Sequence, residues 1–185
     1  MARMYPERLP TPPESVESAA ERWLYTAFER ALPDDVVVMH SVAWLLRERP
    51  SSDSRYWPPS EPTVADRHGE ADFVIIHPRR GVLILEVKGG VIRRDGAADK
   101  WYRLSAAGIK YRITDPFEQG HRNIQNLRTI LVDSRLTHNI FSHLGVKLYH
   151  AAAFPDCVFT NEHLGVNVSR ALVLDYNDRE NIPAA

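Results

Sequence analysis

With 185 residues, 44% of them hydrophobic and 25% charged, and a formal net charge of −1, the chain is long enough for one globular domain with a sizeable core. No apolar run approaches about 18 residues, which excludes a membrane span, and the N-terminus lacks the apolar core of a signal peptide. The single cysteine, Cys157, excludes an internal disulfide and fits a packed hydrophobe better than a nucleophile, so we predict a cytoplasmic protein.

The first part of the chain predicts a disordered lead, a helix, a strand and a loop. The lead is residues 1–10, and Thr11-Pro12-Pro13-Glu14 then fits a capping box for a helix that ends near Pro33. Glu17 and Glu21 lie at the edge of the apolar stripe of this helix, where a carboxylate is either a solvated flank or a site residue. The strand is Val36 to Val42 and the proline-rich loop is residues 50–69.

Two apolar segments in the middle of the chain predict a hairpin of central strands. The segments are Phe73-Val74-Ile75-Ile76 and Val82-Leu83-Ile84-Leu85. If His77 pairs with Gly81, the register places Asp72 directly opposite Glu86. Opposed side chains on antiparallel strands have Cβ atoms about 4.5–5.5 Å apart. Two partly buried carboxylates at that separation need a compensating positive charge.

The two facing acids are therefore a candidate metal site. Mg²⁺ and Mn²⁺ are hard ions that bind through one or two carboxylates together with substrate phosphate oxygens. Lys88 lies two residues after Glu86 and so shares its face of the strand. Its amine is suited to orient an attacking water or to neutralise charge on phosphorus. The alternative is an Asp at a strand edge beside a Glu-Lys surface pair.

The second half of the chain predicts short strands, a long helix and two further strands. After a bend at Gly89-Gly90, the short strands are Val91-Ile92, residues 101–104 and residues 110–113. Asp115-Pro116-Phe117-Glu118 predicts a capped helix that runs to about Ser134. A short helical piece at 138–144 and strands at 146–154 and 171–174 follow. The domain is expected to span residues 11–176, with a C-terminal tail at 177–185.

Charge is distributed unevenly along the chain. Residues 79–128 hold 11 Lys and Arg against 5 Asp and Glu, whereas the rest holds 12 against 19. A basic middle favours an anionic partner, although scattered surface charge gives similar sums. Within it, Arg79-Arg80 and Arg93-Arg94 fit either phosphate contacts or solvated turns. The eight histidines show no zinc-ligand spacing.

The motif residues resemble a known family. The segments 69–74 and 81–90 are similar to the nuclease-related domain (NERD) family of the restriction-endonuclease-like superfamily. That superfamily carries an acid on one core strand and (D/E)-x-K on the next, which correspond here to Asp72 and Glu86-Val87-Lys88. The resemblance implies an α/β fold, with a restriction-endonuclease-like core in which a mixed central β-sheet is flanked by helices.

The resemblance also implies two residues outside the hairpin. An upstream helical acid often accompanies the strand acids, and Glu21 matches its place best, with Glu17 as a rival. A helical Gln follows the core strands, and Gln119 matches it, with an exposed first-turn residue as the alternative. Related exonucleases carry Gln-x-x-x-Tyr there, whereas the fourth position here is Asn123.

Together these residues predict a nuclease that hydrolyses DNA phosphodiester bonds in DNA repair or processing. Asp72 and Glu86 are expected to bind Mg²⁺ or Mn²⁺ with the Val87 carbonyl. Lys88 is expected to assist the water, and Glu21 to hold a second ion or a metal water. The expected catalytic residues are Glu21, Asp72, Glu86, Lys88 and Gln119. The alternatives are an inactive module of the same fold that binds nucleic acid or docks a helicase, and a scaffold that contacts protein only.

Overall fold

Strands from both halves of the chain build one central sheet. The structure, a computed structural model, describes residues 1–9, 16–47, 66–134, 137–138, 145–164, 167–179 and 181–182. In chain order its elements are β1 (Arg3–Tyr5), α1 (Val16–Ala31), β2 (Val37–Arg47), β3 (Asp66–His77), β4 (Gly81–Val87), β5 (Val91–Asp95), β6 (Lys100–Leu104), β7 (Lys110–Ile113), α2 (Pro116–Asp133), β8 (Leu148–Phe154), α3 (Asn161–Leu164) and β9 (Val173–Asp175). The central sheet has the order β1-β2-β3-β4-β8-β9. Neither long helix in these ranges combines the length and apolar character needed to cross a bilayer.

The central sheet is mixed and lies between two helices. Strands β2, β3 and β4 pair antiparallel, whereas β1 with β2, β4 with β8 and β8 with β9 pair parallel. On one face α1 packs Phe28 edge-on against Phe73 of β3. On the other face α2 packs Ile124 and Leu127 near Ile84 of β4. The predicted α/β architecture is therefore confirmed.

The central hairpin has the register that its apolar pattern predicts. Strand β3 pairs with β4 from His77 opposite Gly81 to Phe73 opposite Leu85. Gly81 has a φ of 106°, and a Cβ there would lie 2.3 Å from the carbonyl oxygen of Lys147. Only glycine fits this turn without strain, because the backbone is left-handed and the neighbouring strand is in contact.

A small second sheet follows the hairpin. Strands β5, β6 and β7 pair antiparallel in that order. Ile92 of β5 and Trp101 of β6 are buried, and the Trp101 ring stacks on Phe154 with centroids 5.3 Å apart. Asp115 caps α2 by accepting the N–H groups of the first helical turn, as its sequence predicts. The second sheet lies beside the start of α2, because the Trp101 ring also packs against Phe117 in the first turn of that helix.

Three expectations, two at the chain ends and one about an internal loop, differ from the structure. Residues 1–10 are not wholly a disordered lead, because Arg3–Tyr5 forms a strand and the side chain of Met4 is buried in the core. The predicted loop at 50–69 is too long, since β3 already begins at Asp66. The segment 177–185 is not simply a tail, because Ile182 is buried in the same core as Met4. The capping box at Thr11 and most of the helical piece at 138–144 lie outside the described residues.

Candidate active site

The site begins where the two strands of the hairpin separate. The ladder between β3 and β4 ends at Phe73 and Leu85, one pair before Asp72 and Glu86. Here Asp72 Oδ2 accepts the backbone N–H of Val87 at 2.6 Å. Because this carboxylate binds the backbone of the next strand, its side chain is fixed in the gap between the strands. The two acids are neighbours as predicted, but they follow the last ladder pair and are not themselves part of it.

The pairing of β3 with β2 is also interrupted at Asp72. His40 pairs with Phe73 and Val42 pairs with Ala71, which leaves Ser41 and Asp72 without a ladder pair. Ser41 has a φ of 52°, in the left-handed region that side chains other than glycine rarely adopt. Such a kink in a strand often marks a functional position. The backbone on both sides of Asp72 thus departs from regular sheet geometry.

Glu86 is fully buried and only partly satisfied. Its side chain is 0% exposed, and Oε1 accepts a hydrogen bond from Asn123 Nδ2 at 2.5 Å. Its other oxygen, Oε2, has no hydrogen-bond partner within the described residues and lies 3.7 Å from Lys88 Nζ. A buried carboxylate oxygen without a donor costs free energy of folding. This oxygen is suited to bind a cation.

Burial and neighbouring negative charges make both acids harder to ionise. Loss of hydration, followed by the charge of Asp72, raises the pKa of Glu86 to about 7, while Lys88 and Asn123 act in the opposite direction. Loss of hydration likewise raises the pKa of Asp72 to about 6, against the lowering effects of the Val87 N–H and Lys88. A raised pKa is expected where carboxylates converge without enough positive charge.

Lys88 lies at the edge of the acid pair on an anchored backbone. Its side chain is 14% exposed, and its backbone N–H donates to the carbonyl of Ala153 on β8 at 2.9 Å. Two residues later, the N–H of Gly90 donates to Asp156 Oδ2 at 2.8 Å, which fixes the bend into β5. The amine therefore has limited freedom and remains near Glu86.

Of the predicted residues outside the hairpin, Glu21 lies near the acids. Its carboxylate is 2.8 Å from His40 Nε2, and its charge contributes to the raised pKa of Asp72. The side chain of the rival, Glu17, lies outside the described residues. Gln119 is half-buried on α2 and makes no hydrogen bond or ion pair with any described side chain. The structure thus brings Glu21 toward the pair and leaves Gln119 without a contact to it.

Two residues that touch the site were missed as site residues. Asn123 is buried and joins Glu86 to the carbonyl of Glu70, to which it also donates at 2.8 Å. Its signal in the sequence was a polar side chain on the apolar face of α2, four residues after Gln119. His40 interrupts an apolar strand, and its ring packs against Phe73 while it contacts Glu21.

Several other candidates are separated from the site. Arg94 is buried, its side chain 2% exposed, and it donates to Asp99 and to the carbonyl of Leu164, so it is not available to phosphate. Arg79 and Arg80 lie at the turn end of the hairpin, beside a groove of about 730 Å³ that contains none of the predicted catalytic residues. Cys157 is buried, and burial raises the pKa of its thiol, which fits packing and not nucleophilic attack.

The donor set limits which cation fits. Within the described ranges, no three or more His, Cys, Asp or Glu side chains converge closely enough to hold a metal ion by themselves. Asp72 and Glu86 supply two carboxylates, which is the number through which Mg²⁺ commonly binds when waters and substrate oxygens complete its shell. A structural zinc site needs about four protein ligands and does not fit.

A comparison with known proteins finds a family match over the part of the chain that contains the candidate site. The family model described as "Nuclease-related domain" matches residues 17–155. This span runs from α1 to the end of β8, and it includes Glu21, Asp72, Glu86 and Lys88. No curated protein and no solved structure matches the chain.

Proposed function

The chain belongs to the nuclease-related domain (NERD) family, and on that premise we propose that it is a nuclease that hydrolyses DNA phosphodiester bonds with Mg²⁺ or Mn²⁺, in DNA repair or processing. The observation that carries the proposal is Glu86, a fully buried carboxylate whose Oε2 has no hydrogen-bond donor among the described residues. Asp72 and Lys88 lie beside it, so acids and an amine converge at one point. A structural role alone does not account for so costly an arrangement.

The residues present fit a hard divalent cation. Asp72 and Glu86 would hold it, with the Val87 carbonyl as a third oxygen donor, and Oε2 of Glu86, which lacks a hydrogen-bond donor among the described residues, is the ligand atom best suited to it. When bound, such an ion polarises a phosphodiester, lowers the pKa of a bound water and neutralises charge on the leaving oxygen. The raised pKa values of both acids have the direction expected of ligands that need an added positive charge.

The remaining residues are proposed to act on substrate and water. Lys88 Nζ, held near Glu86, orients the attacking water and neutralises negative charge that develops on the phosphate oxygens. Glu21, positioned by His40, holds a second ion or an ordered water at the margin of the pair. Gln119, one helical turn before Asn123, contacts substrate from α2. Asn123 is a positioning residue, since it fixes the carboxylate of Glu86.

A cleavage assay tests the proposal. Linear and circular DNA are incubated with wild type, Glu86→Ala and Lys88→Ala in Mg²⁺, Mn²⁺ or EDTA, and products are resolved on gels. We expect wild type to cut only with a divalent ion, and each variant to lose on the order of a hundredfold or more in rate. Glu118→Ala is the matched control, because this acid on α2 is 65% exposed and, among the described residues, pairs with Arg122 on the helix surface.

The same assay, run beside a gel-shift measurement of DNA binding in EDTA, separates the alternatives. Unchanged cleavage by both pure, folded variants would remove the proposed site. DNA binding without product under any divalent ion would identify an inactive binding module, and a helicase would then be the partner to seek. Absence of both binding and cleavage would leave a scaffold that contacts protein.

A further inference from the structure

The small sheet β5–β7 has an outer face dominated by cations. Residues paired across neighbouring strands share a face, so the register places Arg93, Tyr102 and Arg112 in one row. Lys110 and Lys100 flank this row on the same face. The opposite face carries the buried core residues of the sheet. We define the outer face by these five residues: Arg93, Lys100, Tyr102, Lys110 and Arg112.

The four cations of the outer face have no carboxylate at ion-pair distance among the described residues, although Asp99, Asp115 and Glu118 line the same cleft as Lys100 and Arg112. Arg93 donates to the carbonyl of its neighbour Ile92, and Lys110 Nζ lies 5.9 Å from the centroid of the Tyr102 ring. Asp95 shares this face, but its carboxylate accepts the N–H groups of Ala97 and Ala98 within the turn.

Some arginines elsewhere in the described residues are held by carboxylates, unlike those of the outer face. Arg170 contacts Asp175 and Asp178, and Arg179 contacts Asp156. Like charges held together without counter-charges destabilise a fold slightly. Four such cations on one small sheet do not stabilise the fold. Their grouping therefore indicates that they bind an anionic partner.

The outer face begins next to the candidate active site. Strand β5 starts three residues after Lys88, and an extended chain spans at most about 3.6 Å per residue. The Cα of Val91, the first residue of β5, thus lies within roughly 11 Å of the Lys88 Cα. Adjacent strands are about 4.8 Å apart, so Arg93 and Arg112, two strands apart, are separated by about 10 Å on either side of Tyr102.

We propose that the outer face of β5–β7 binds the phosphate backbone of the nucleic acid that the active site cuts; this inference rests on the proposed function. Guanidinium groups pair with phosphate oxygens through two parallel hydrogen bonds, and Arg93 and Arg112 are both exposed and free to do so. Tyr102, between them, adds an aromatic surface of the kind that nucleic-acid grooves combine with cations.

A membrane surface fits these residues less well. Peripheral membrane binding needs a large apolar surface that enters the interface beside the cations. Beside the five residues of the outer face, Val91 is a large hydrophobic residue on the same side of the sheet and is 42% exposed, whereas Tyr111, at 54%, lies on the opposite side. A cationic face that lacks such an apolar surface is better suited to bind a polyanion in solution than a membrane.

DNA affinity measured without catalysis tests the inference. Binding of fluorescent single-stranded and duplex DNA to the full chain is followed by anisotropy in EDTA at several salt concentrations. We expect Arg93→Ala/Arg112→Ala to weaken binding roughly ten- to a hundredfold at 0.1 M salt. The slope of log affinity against log salt should become shallower by about 1.4 to 1.8, as for two lost phosphate contacts.

Two further variants make the result specific. Arg79→Ala/Arg80→Ala removes the same charge at the turn end of the hairpin and should leave affinity and slope unchanged. Arg93→Lys/Arg112→Lys keeps both charges and should restore most of the slope, and thermal melting checks that every variant folds. Equal losses from both alanine pairs, or no loss from Arg93→Ala/Arg112→Ala, would overturn the inference.

The outcomes for the inference and for the nuclease are distinguishable. If wild type binds DNA through the outer face but never cuts it, the inference holds and the nuclease proposal fails. If wild type cuts DNA while Arg93→Ala/Arg112→Ala binds as tightly as wild type, the inference fails alone. Binding to phosphatidylserine vesicles that depends on these arginines, without binding to DNA, would also overturn it.

Discussion

At Glu86 the fold accepts a buried charge that its own groups satisfy only in part. Asn123 and Lys88 lie beside the carboxylate, yet its Oε2 has no hydrogen-bond donor within the described residues. Loss of hydration raises the pKa of the Glu86 carboxyl group to about 7. Residues that bind a ligand or react often lower the stability of the ligand-free protein, because their arrangement favours ligand binding over folding stability. Without the proposed divalent ion, the protein should therefore be less stable than its core allows.

Glu86→Gln is expected to stabilise the metal-free protein. The amide has nearly the same shape, can still accept from Asn123 through its oxygen, and removes a buried charge next to Asp72. We expect the free energy of unfolding in EDTA to rise by about 1–3 kcal/mol, because the raised pKa of Glu86 reflects the free-energy cost of ionising this buried carboxyl. Urea denaturation measures it, with the exposed Glu118→Gln as control. A less stable Glu86→Gln protein would show that the carboxylate is well satisfied.

At the scale of elements, the hairpin was predictable and its end was not. Apolar runs bounded by Pro and Gly fix two central strands and their register, because a slip by one residue would turn the buried side chains outward. The bond from the Val87 N–H to Asp72 depends on where the strands diverge, which a period-two pattern does not encode. The contact of Asn123 with Glu86 depends on the position of α2 over the sheet, and this is set by packing far along the chain.

Gly81→Ala tests how strongly the turn determines the hairpin. The new Cβ would meet the Lys147 carbonyl at 2.3 Å on a backbone with a φ of 106°. We expect a loss of about 2–4 kcal/mol in unfolding free energy, from backbone strain and displacement of the neighbouring strand. Gly96→Ala is the control, since a Cβ there meets nothing within 4 Å. Equal stability of the two variants in chemical denaturation would contradict this account of the turn.

At the scale of the whole molecule, both described ends of the chain contribute to one core. Ala2, Met4 and Ile182 are buried in the cluster that contains Leu24 and Phe28 of α1. The sequence could not indicate that the N-terminal strand is part of this core, because a segment of three residues is too short to show a periodic pattern. Its pairing is set by the edge of β2, where Arg3 lies opposite Val37.

Met4→Ala distinguishes a core strand from a disordered lead. Met4 is 6% exposed, so truncation should leave a cavity and cost about 2–4 kcal/mol in unfolding free energy. Leu45→Ala, at a side chain that is 46% exposed, should cost much less. Denaturant unfolding of both variants measures the difference. A Met4→Ala protein as stable as wild type would restore the expectation of disorder.

The carboxylate of Asp72, bound to the next strand's backbone, has a consequence for the order in which the site forms during folding. It occupies the space that further pairing of β3 with β4 past Phe73 and Leu85 would need. Both partners of this bond lie within the hairpin, whereas Glu86 is held by Asn123 of α2 and the Lys88 backbone by Ala153 of β8. An isolated hairpin peptide lacks those two supports, so the proposed capture of a cation should be absent until α2 and β8 have packed.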